Sequence, residues 1–481
     1  MIAGTWARFG AALLLVVGGF GIYQGRRAFI RSFFVDGAPR AIEGEGAGPP
    51  AGEPLPASER VRVVLLDGLG REEADAVPAL DELCAGGWDL EVDVGFPTVS
   101  LPVQHVLWTS LTQAQSGILY RIAGLGEAPA AALPRRTPGS VAVAEAHPEI
   151  IHSFGFSRAE PAAPPGEAPA GWRAGGCEAA ARAAVTGDAR LVFVHVLRID
   201  EAGHASGAAS PAYAAAVLGA GELLVGLVAA EAALGRAGTR WFVLADHGHR
   251  PAGGHGGAEE SIRVVRACVV GDLPAAPAGP RPRVHLVDLG RMLAESVGAE
   301  VDRRSVARPW ARALGEAAPP IVPAPSAGRR VLAAILGAAG LALTWRLGPR
   351  AWSPWIWPVV AYAGIVIGVG PLSLSNPAVY PPLGASMVEW AAPGLVILLV
   401  HAILLARGGA PLGRFVAALG GVGTFAAVSA VLAGIGENPP LAPVWTAHAS
   451  AAFAVTAAAS LVVGLVLAVS SVARWVRSRR R

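Results

Sequence analysis

Six long apolar stretches punctuate the chain, one at its start and five after residue 330. The first is FGAALLLVVGGFGIY (9–23). The others are VLAAILGAAGLALTW, WIWPVVAYAGIVIGV, AAPGLVILLVHAILLA, FVAALGGVGTFAAVSAVLAGI and AAFAVTAAASLVVGLVLAV. Each is close to the roughly 20 residues that cross a bilayer's hydrocarbon core, so the pattern predicts about six transmembrane helices. The middle of the chain is different. Its apolar runs are short and rich in β-branched residues: RVRVVLLDG (60–68), ARLVFVHVLRID (189–200) and TRWFVLADHG (239–248). Runs of that length without alternation predict strands buried on both faces. Ala/Leu/Glu-rich helical stretches separate them, which predicts an α/β unit with a mostly parallel sheet and helices on both faces.

The pattern divides the chain into an N-terminal signal anchor (1–25) and a Gly/Pro/Ala-rich tether (26–58). A globular ectodomain (59–315) and a Pro-rich hinge (316–328) follow, then a five-helix polytopic domain (329–474) and a basic tail (475–481). The first stretch lacks a small-x-small cleavage site, so it is expected to stay as an anchor. With both termini in the cytoplasm, RLGPR (346–350), RGGAPLGR (407–414) and the arginine-rich C-terminus fall inside. Neither short outside loop carries arginine, as the positive-inside rule requires. Arg26, Arg27 and Arg31, on the outer side of the first span, run against it. The expected arrangement is a multi-pass membrane protein with its globular unit on the extracytoplasmic side.

Composition supports this picture. Hydrophobic residues make up 53% of the chain and charged ones 16%, too apolar for a protein without membrane spans. The net charge of +3 comes from scattered arginines, which gives no nucleic-acid footprint. Three cysteines (Cys84, Cys177, Cys268), far apart and odd in number, imply no disulfide framework.

All three buried runs end in an aspartate: Asp67, Asp200 and Asp246. Ligand crevices of open α/β sheets lie outside the carboxyl ends of the strands, so these acids are expected to converge. Any one could be a helix cap, but three crowded carboxylates would repel unless cations neutralised them. Histidines accompany them. DEAGHASG places His204 four residues after Asp200 on a strand-exit loop, and DHGHRPAGGHGG supplies His247, His249 and His255. Carboxylates and imidazoles without cysteine suit zinc, with manganese as the alternative. In FPTVSLPVQHVLWTSL, Ser100 falls at a helix N-terminus, where an anion is favoured and a metal-bound hydroxyl becomes a nucleophile. Taken alone, Thr98 or Ser100 reads equally well as an N-cap. Thr98, Gln104, His105 and His249 are candidates for substrate contact. His195, inside a strand, reads as a core histidine facing away from the acids, and His401 lies within a predicted span.

The motifs LLDGLG, FPTVSLPVQHVLWTSLT, HVLRIDEAGHASG and LADHGHRPAGGHGG, in this order, resemble the alkaline-phosphatase superfamily. The similarity is greatest to its membrane glycosylphosphatidylinositol ethanolamine-phosphate transferases, with nucleotide pyrophosphatase/phosphodiesterases next. The resemblance implies two divalent ions, usually zinc, one held by Asp200, His204 and His255 and the other by Asp67, Asp246 and His247. It places Ser100 at the nucleophile, bridging toward the metals. It implies a phosphotransferase or phosphodiesterase working through a phospho-enzyme and moving a phosphoethanolamine-type group to or from a lipid or lipid-linked glycan. Alternatives are an anchored hydrolase of soluble phosphate esters or nucleotides, a sulfatase-like relative, and a non-catalytic membrane scaffold. Two departures stand out. Val103 occupies the place of a phosphoryl-binding asparagine found in the phosphodiesterases, and Ser100-Leu-Pro-Val-Gln104 lacks the arginine of the sulfatase motif.

Overall fold

The computed structural model describes residues 2–34, 48–95, 97–116, 128–162, 170–257, 259–275, 279–316, 392–407 and 443–480. The chain forms two compact units, one of residues 33–322 and one that joins 1–32 to 323–481.

The unit 33–322 is built on an eight-stranded mixed sheet. Its strands are β1 (Arg60–Leu66), β2 (Gly87–Asp93), β3 (Val141–Ala144), β4 (Arg158–Glu160), β5 (Leu191–Val196), β6 (Thr239–Leu244), β7 (Val264–Val270) and β8 (Arg283–His285). The order is β4-β3-β5-β1-β6-β7-β2-β8. Neighbours pair in parallel except β7, which runs antiparallel to both β6 and β2. The three runs singled out in the sequence are the adjacent strands β5, β1 and β6, buried at nearly every position. Arg62 is the buried charged residue within β1. It is fully buried because its guanidinium donates to the carbonyls of Val185, Gly187 and Ala189, which close the end of the helix Cys177–Thr186.

Two features differ from expectation. Cys84, at the end of the helix Pro78–Cys84, forms a disulfide with Cys268 of β7, while Cys177 is free and buried. The 184-residue separation hid a pairing that exists only because this helix packs against the sheet. The end of the predicted tether is also docked. Arg291 donates to the Pro50 carbonyl, Leu55 N–H to the Glu295 carboxylate, and Ser58 N–H to the Ser296 carbonyl. All three partners lie on the helix Leu286–Ser296.

Among the described residues, three helices are long and apolar enough to cross a membrane: Trp6–Gly25, Pro211–Ala232 and Ala454–Arg479. The first lies within a helix that runs on through Ile2–Phe34, and the last within Pro443–Arg479. In their unit, a side-chain carbon at Gly464 would come within 2.9 Å of Val16, so the small residue permits close helix packing. The middle helix belongs to the α/β unit and buries Tyr213, Val217, Leu224 and Leu227 there. Of the expected spans after residue 330, one falls on the helix Ala392–Arg407 and the last on Pro443–Arg479. The other three lie outside the described residues.

Candidate two-metal site

The parallel register brings the carboxyl ends of β5, β1 and β6 side by side, and each delivers its aspartate there. Asp67 follows β1 directly, and Asp246 follows β6 after Ala245. Asp200 sits in the first turn of the helix Arg198–Ser206 rather than in a loop. That helix puts Asp200 and His204 one turn apart on one face, with His204 Nε2 3.5 Å from Asp200 Oδ1. Glu145 fixes the start of the helix by accepting from the backbone N–H groups of Leu197 and Arg198. Gly68 explains the glycine after Asp67: its φ is +78° and a Cβ there would lie 2.8 Å from the Asp200 backbone.

Two donor clusters result, Asp67/Asp246/His247 and Asp200/His247/His249/His255, and they share His247. In the first, His247 Nε2 lies 3.4 Å from Asp67 Oδ1 and 3.9 Å from Asp246 Oδ1. In the second, Asp200 Oδ1 lies 2.7 Å from His249 Nε2 and 3.6 Å from His255 Nε2. His204 Nε2 is 3.0 Å from His255 Nε2, and the rings of His247 and His255 stack at 3.8 Å. Ser100 is the first residue of the helix Ser100–Thr109, and its Oγ lies 3.2 Å from His247 Nε2 and 3.4 Å from Asp67 Oδ1.

The donor chemistry fits divalent cations. His255 Nδ1–H donates to the Thr98 carbonyl and His247 Nδ1–H to the Gly248 carbonyl, leaving both Nε2 atoms with lone pairs. Donor separations of 3.0–3.6 Å around Asp200, His204 and His255 are those of neighbouring ligands on an ion bound at about 2.0–2.1 Å.

Electrostatics point the same way. Burial, with Asp246 and Asp200 nearby, raises the Asp67 carboxyl well above its usual value. Burial and Asp200 push Asp246 up to about 7. Burial also acts on Asp200, but the hydrogen bond from His249 and the facing imidazoles outweigh it and hold that carboxyl low. Burial depresses the imidazoles, His255 to about 4 and His204 and His247 below their usual value, so all three are neutral at neutral pH, the form that can bind a cation.

The remaining expected contacts fall as follows. His249 lies on Asp200, and its ring fills the space beside Gly203, where a Cβ would meet it at 2.6 Å. Thr98 clips the glycine-rich loop, its Oγ1 donating to the Gly257 carbonyl and accepting from Gly256 N–H. Gln104 donates to Asp246 Oδ2 at 3.2 Å. His105 is buried against Phe154, its ring nitrogens without hydrogen-bond partners, and desolvation lowers it to about 3.

Two residues at the site were not foreseen. His195, expected to face away, points at Asp67, with Nε2 2.6 Å from Oδ2. The signal was in the register. His195 pairs with Leu65, and Asp67, two residues on, shares the Leu65 face. Tyr213 closes the Gly68–Gly70 turn, its hydroxyl donating to the Gly68 carbonyl and accepting from Gly70 N–H.

No family model and no curated protein matches the chain. Solved structures do resemble it. A putative sulfatase from Bacteroides thetaiotaomicron aligns at a TM-score of 0.42 and 15% identity, over 56% of this chain and 78% of the other. Murine ectonucleotide pyrophosphatase/phosphodiesterase 5, an inactive variant in complex with AMP, aligns at 0.40 and 14%, over 52% and 96%. The human enzyme of that name aligns at 0.42 and 14%, over 52% and 97%. Sulfatases and these phosphodiesterases both belong to the alkaline-phosphatase superfamily. At these values neither a substrate nor any residue role is taken from the likeness.

Proposed function

We propose that the chain is a membrane-bound, two-metal phosphotransferase or phosphodiesterase with Ser100 as nucleophile. The observation that carries this reading is the position of Ser100 Oγ. It lies within 3.4 Å of Asp67 and His247, beside the two clusters that share that histidine. Asp67, Asp246 and His247 would hold one ion, and Asp200, His204 and His255, with His249 alongside, the other. Zinc suits these donors best. When bound, the ions supply positive charge for the attacking and leaving oxygens of an in-line displacement. The Ser100 oxygen attacks phosphorus as the donor's P–O ester bond breaks; the Ser100 proton ends on the departing alcohol, and a phosphorylated serine remains. Water or an acceptor hydroxyl then attacks the same phosphorus, the Ser100 P–O bond breaks, and the attacking group's proton returns to the Ser100 oxygen. The backbone N–H groups of Ser100 and Leu101, at the start of their helix, are placed by position to receive an anion.

The apolar helices favour a substrate at a membrane, and the sequence resemblance favours a phosphoethanolamine-type group on a lipid or lipid-linked glycan. The Cys84–Cys268 disulfide supports an extracytoplasmic site, since such bonds persist in oxidising compartments.

The test is the full chain in detergent, loaded with Zn2+ and given labelled phospholipid donors. Ser100→Ala is expected to keep both ions and lose turnover together with the trappable phosphoserine. Wild-type rates from that variant would refute the nucleophile.

A further inference from the structure

We infer that His195 and Gln104 form a paired brace that orients the two carboxylates of the Asp67/Asp246/His247 cluster, each as a positioning residue. The inference rests on the two-metal reading above and adds two residues from different elements. His195 comes from β5 and Gln104 from the helix that begins at Ser100, and neither has any exposed surface. Neither can touch a substrate. What they touch is the outer oxygen of each acid. His195 Nε2 lies 2.6 Å from Asp67 Oδ2, and Gln104 Nε2 lies 3.2 Å from Asp246 Oδ2.

With the two ions bound both acids are ionised and only accept, so both nitrogens must donate. His195 therefore carries its proton on Nε2, and its 3.3 Å approach to Gln104 Nε2 is a packing contact between two donors, not a bond. The two braces stand side by side, each satisfying one acid. With Oδ2 taken by His195, Asp67 keeps Oδ1 for the site, where Ser100 Oγ and His247 Nε2 both lie 3.4 Å away. Asp246 is fixed on its other side as well, because Oδ1 accepts from Gly68 N–H at 3.2 Å. A carboxylate held this way cannot spin about its last bond, so the oxygen it offers to an ion stays in place.

The brace leaves half of each side chain's capacity unused. His195 Nδ1 and Gln104 Oε1 are buried without a hydrogen-bond partner. An apolar residue of similar size would fill either position without that penalty, so packing alone does not account for them. The arrangement also ties the nucleophile to the acids. Gln104 sits one turn after Ser100, so its hold on Asp246 fixes the Ser100 helix to the end of β6.

The test is competitive chelator titration of the full chain in detergent with Zn2+ alone, with kcat and KM measured in parallel. Wild type must first bind two ions; if it binds none, the two-metal reading fails and this inference with it. Given two ions, His195→Leu and Gln104→Leu are each expected to weaken one site by about 10–100-fold and leave the other unchanged. The same variants are expected to lower kcat more than they change KM. His195→Gln, whose amide can still donate to Asp67, is expected to recover most of the lost affinity. Unchanged affinity at both sites in the two folded leucine variants would overturn the brace. So would equal losses at both sites with no recovery by His195→Gln, the signature of a general packing defect.

Discussion

Asp246→Asn should change the sign of its effect on stability when the metals are removed. Asp246 is fully buried and its carboxyl is raised from 3.8 to about 7 by burial and by Asp200. A carboxyl raised on folding costs stability wherever the unfolded chain ionises it and the folded one holds its proton, and keeps that full cost once both are ionised. In the metal-free protein the cost is absent below pH 3.8, grows as pH rises toward 7, and is complete above it. A displacement of that size corresponds to about 4 kcal/mol. Asparagine keeps an acceptor for Gly68 N–H and carries no charge. In excess chelator at about pH 8, the variant should therefore unfold later than wild type, by up to about 4 kcal/mol, and the gap should close near pH 4. With Zn2+ present the order should reverse, because the variant has lost a ligand and with it the stabilisation that binding gives the native state. Thermal unfolding of the full chain in detergent, with and without chelator at both pH values, gives all four comparisons. A metal-free variant less stable than wild type at the higher pH would refute the claim that this carboxylate is held in place for a cation.

Two further outcomes follow from the same geometry. The Cys84–Cys268 bond closes a loop of 184 residues in the unfolded chain. Its loss in a Cys84→Ala/Cys268→Ala variant should cost roughly 2–5 kcal/mol in denaturant titration, and the denatured wild type should show only Cys177 as a reactive thiol until it is reduced. Thr98→Val removes the acceptor for buried Gly256 N–H while keeping the shape of the side chain. It should destabilise the unit by about 1–3 kcal/mol and weaken zinc binding on chelator titration, whereas Thr98→Ser should not.

The centre of the sheet was legible because its physics is local. A strand covered on both faces must be apolar throughout, so an aspartate ending such a run marks the point where the chain leaves the core. Three such endings, at Asp67, Asp200 and Asp246, follow adjacent strands. What the sequence hid depends on partners far along the chain. His195 looks like any polar residue in a buried strand until the β1–β5 register shows which face it shares with Asp67. The disulfide requires knowing that the helix ending at Cys84 lies on β7. The polar, glycine-containing DEAGHASG reads as a loop, yet the cap that Glu145 supplies from elsewhere in the chain lets the helix start at Arg198. The long apolar helix Pro211–Ala232 shows the converse: its composition alone would suit a bilayer, and the tertiary structure gives it a protein surface to cover.

The glycines of RPAGGHGG have their reason in the same register. The loop leaves β6 carrying Asp246 and His247 into one cluster and must return His255 to the other, close enough for the two rings to stack at 3.8 Å. Gly253, Gly254 and Gly256 all have positive φ, which side chains rarely adopt, and the turn is closed by Gly253 N–H on the Arg250 carbonyl. Thr98, two residues before Ser100, then takes His255 Nδ1–H on its carbonyl and Gly256 N–H on its hydroxyl. One short segment therefore orients both an imidazole of the second cluster and the start of the helix that carries Ser100. The separation between Ser100 and the donor clusters is set by hydrogen bonds between side chain and backbone at Thr98, His255 and Gly256, the fixed geometry that the proposed in-line displacement demands.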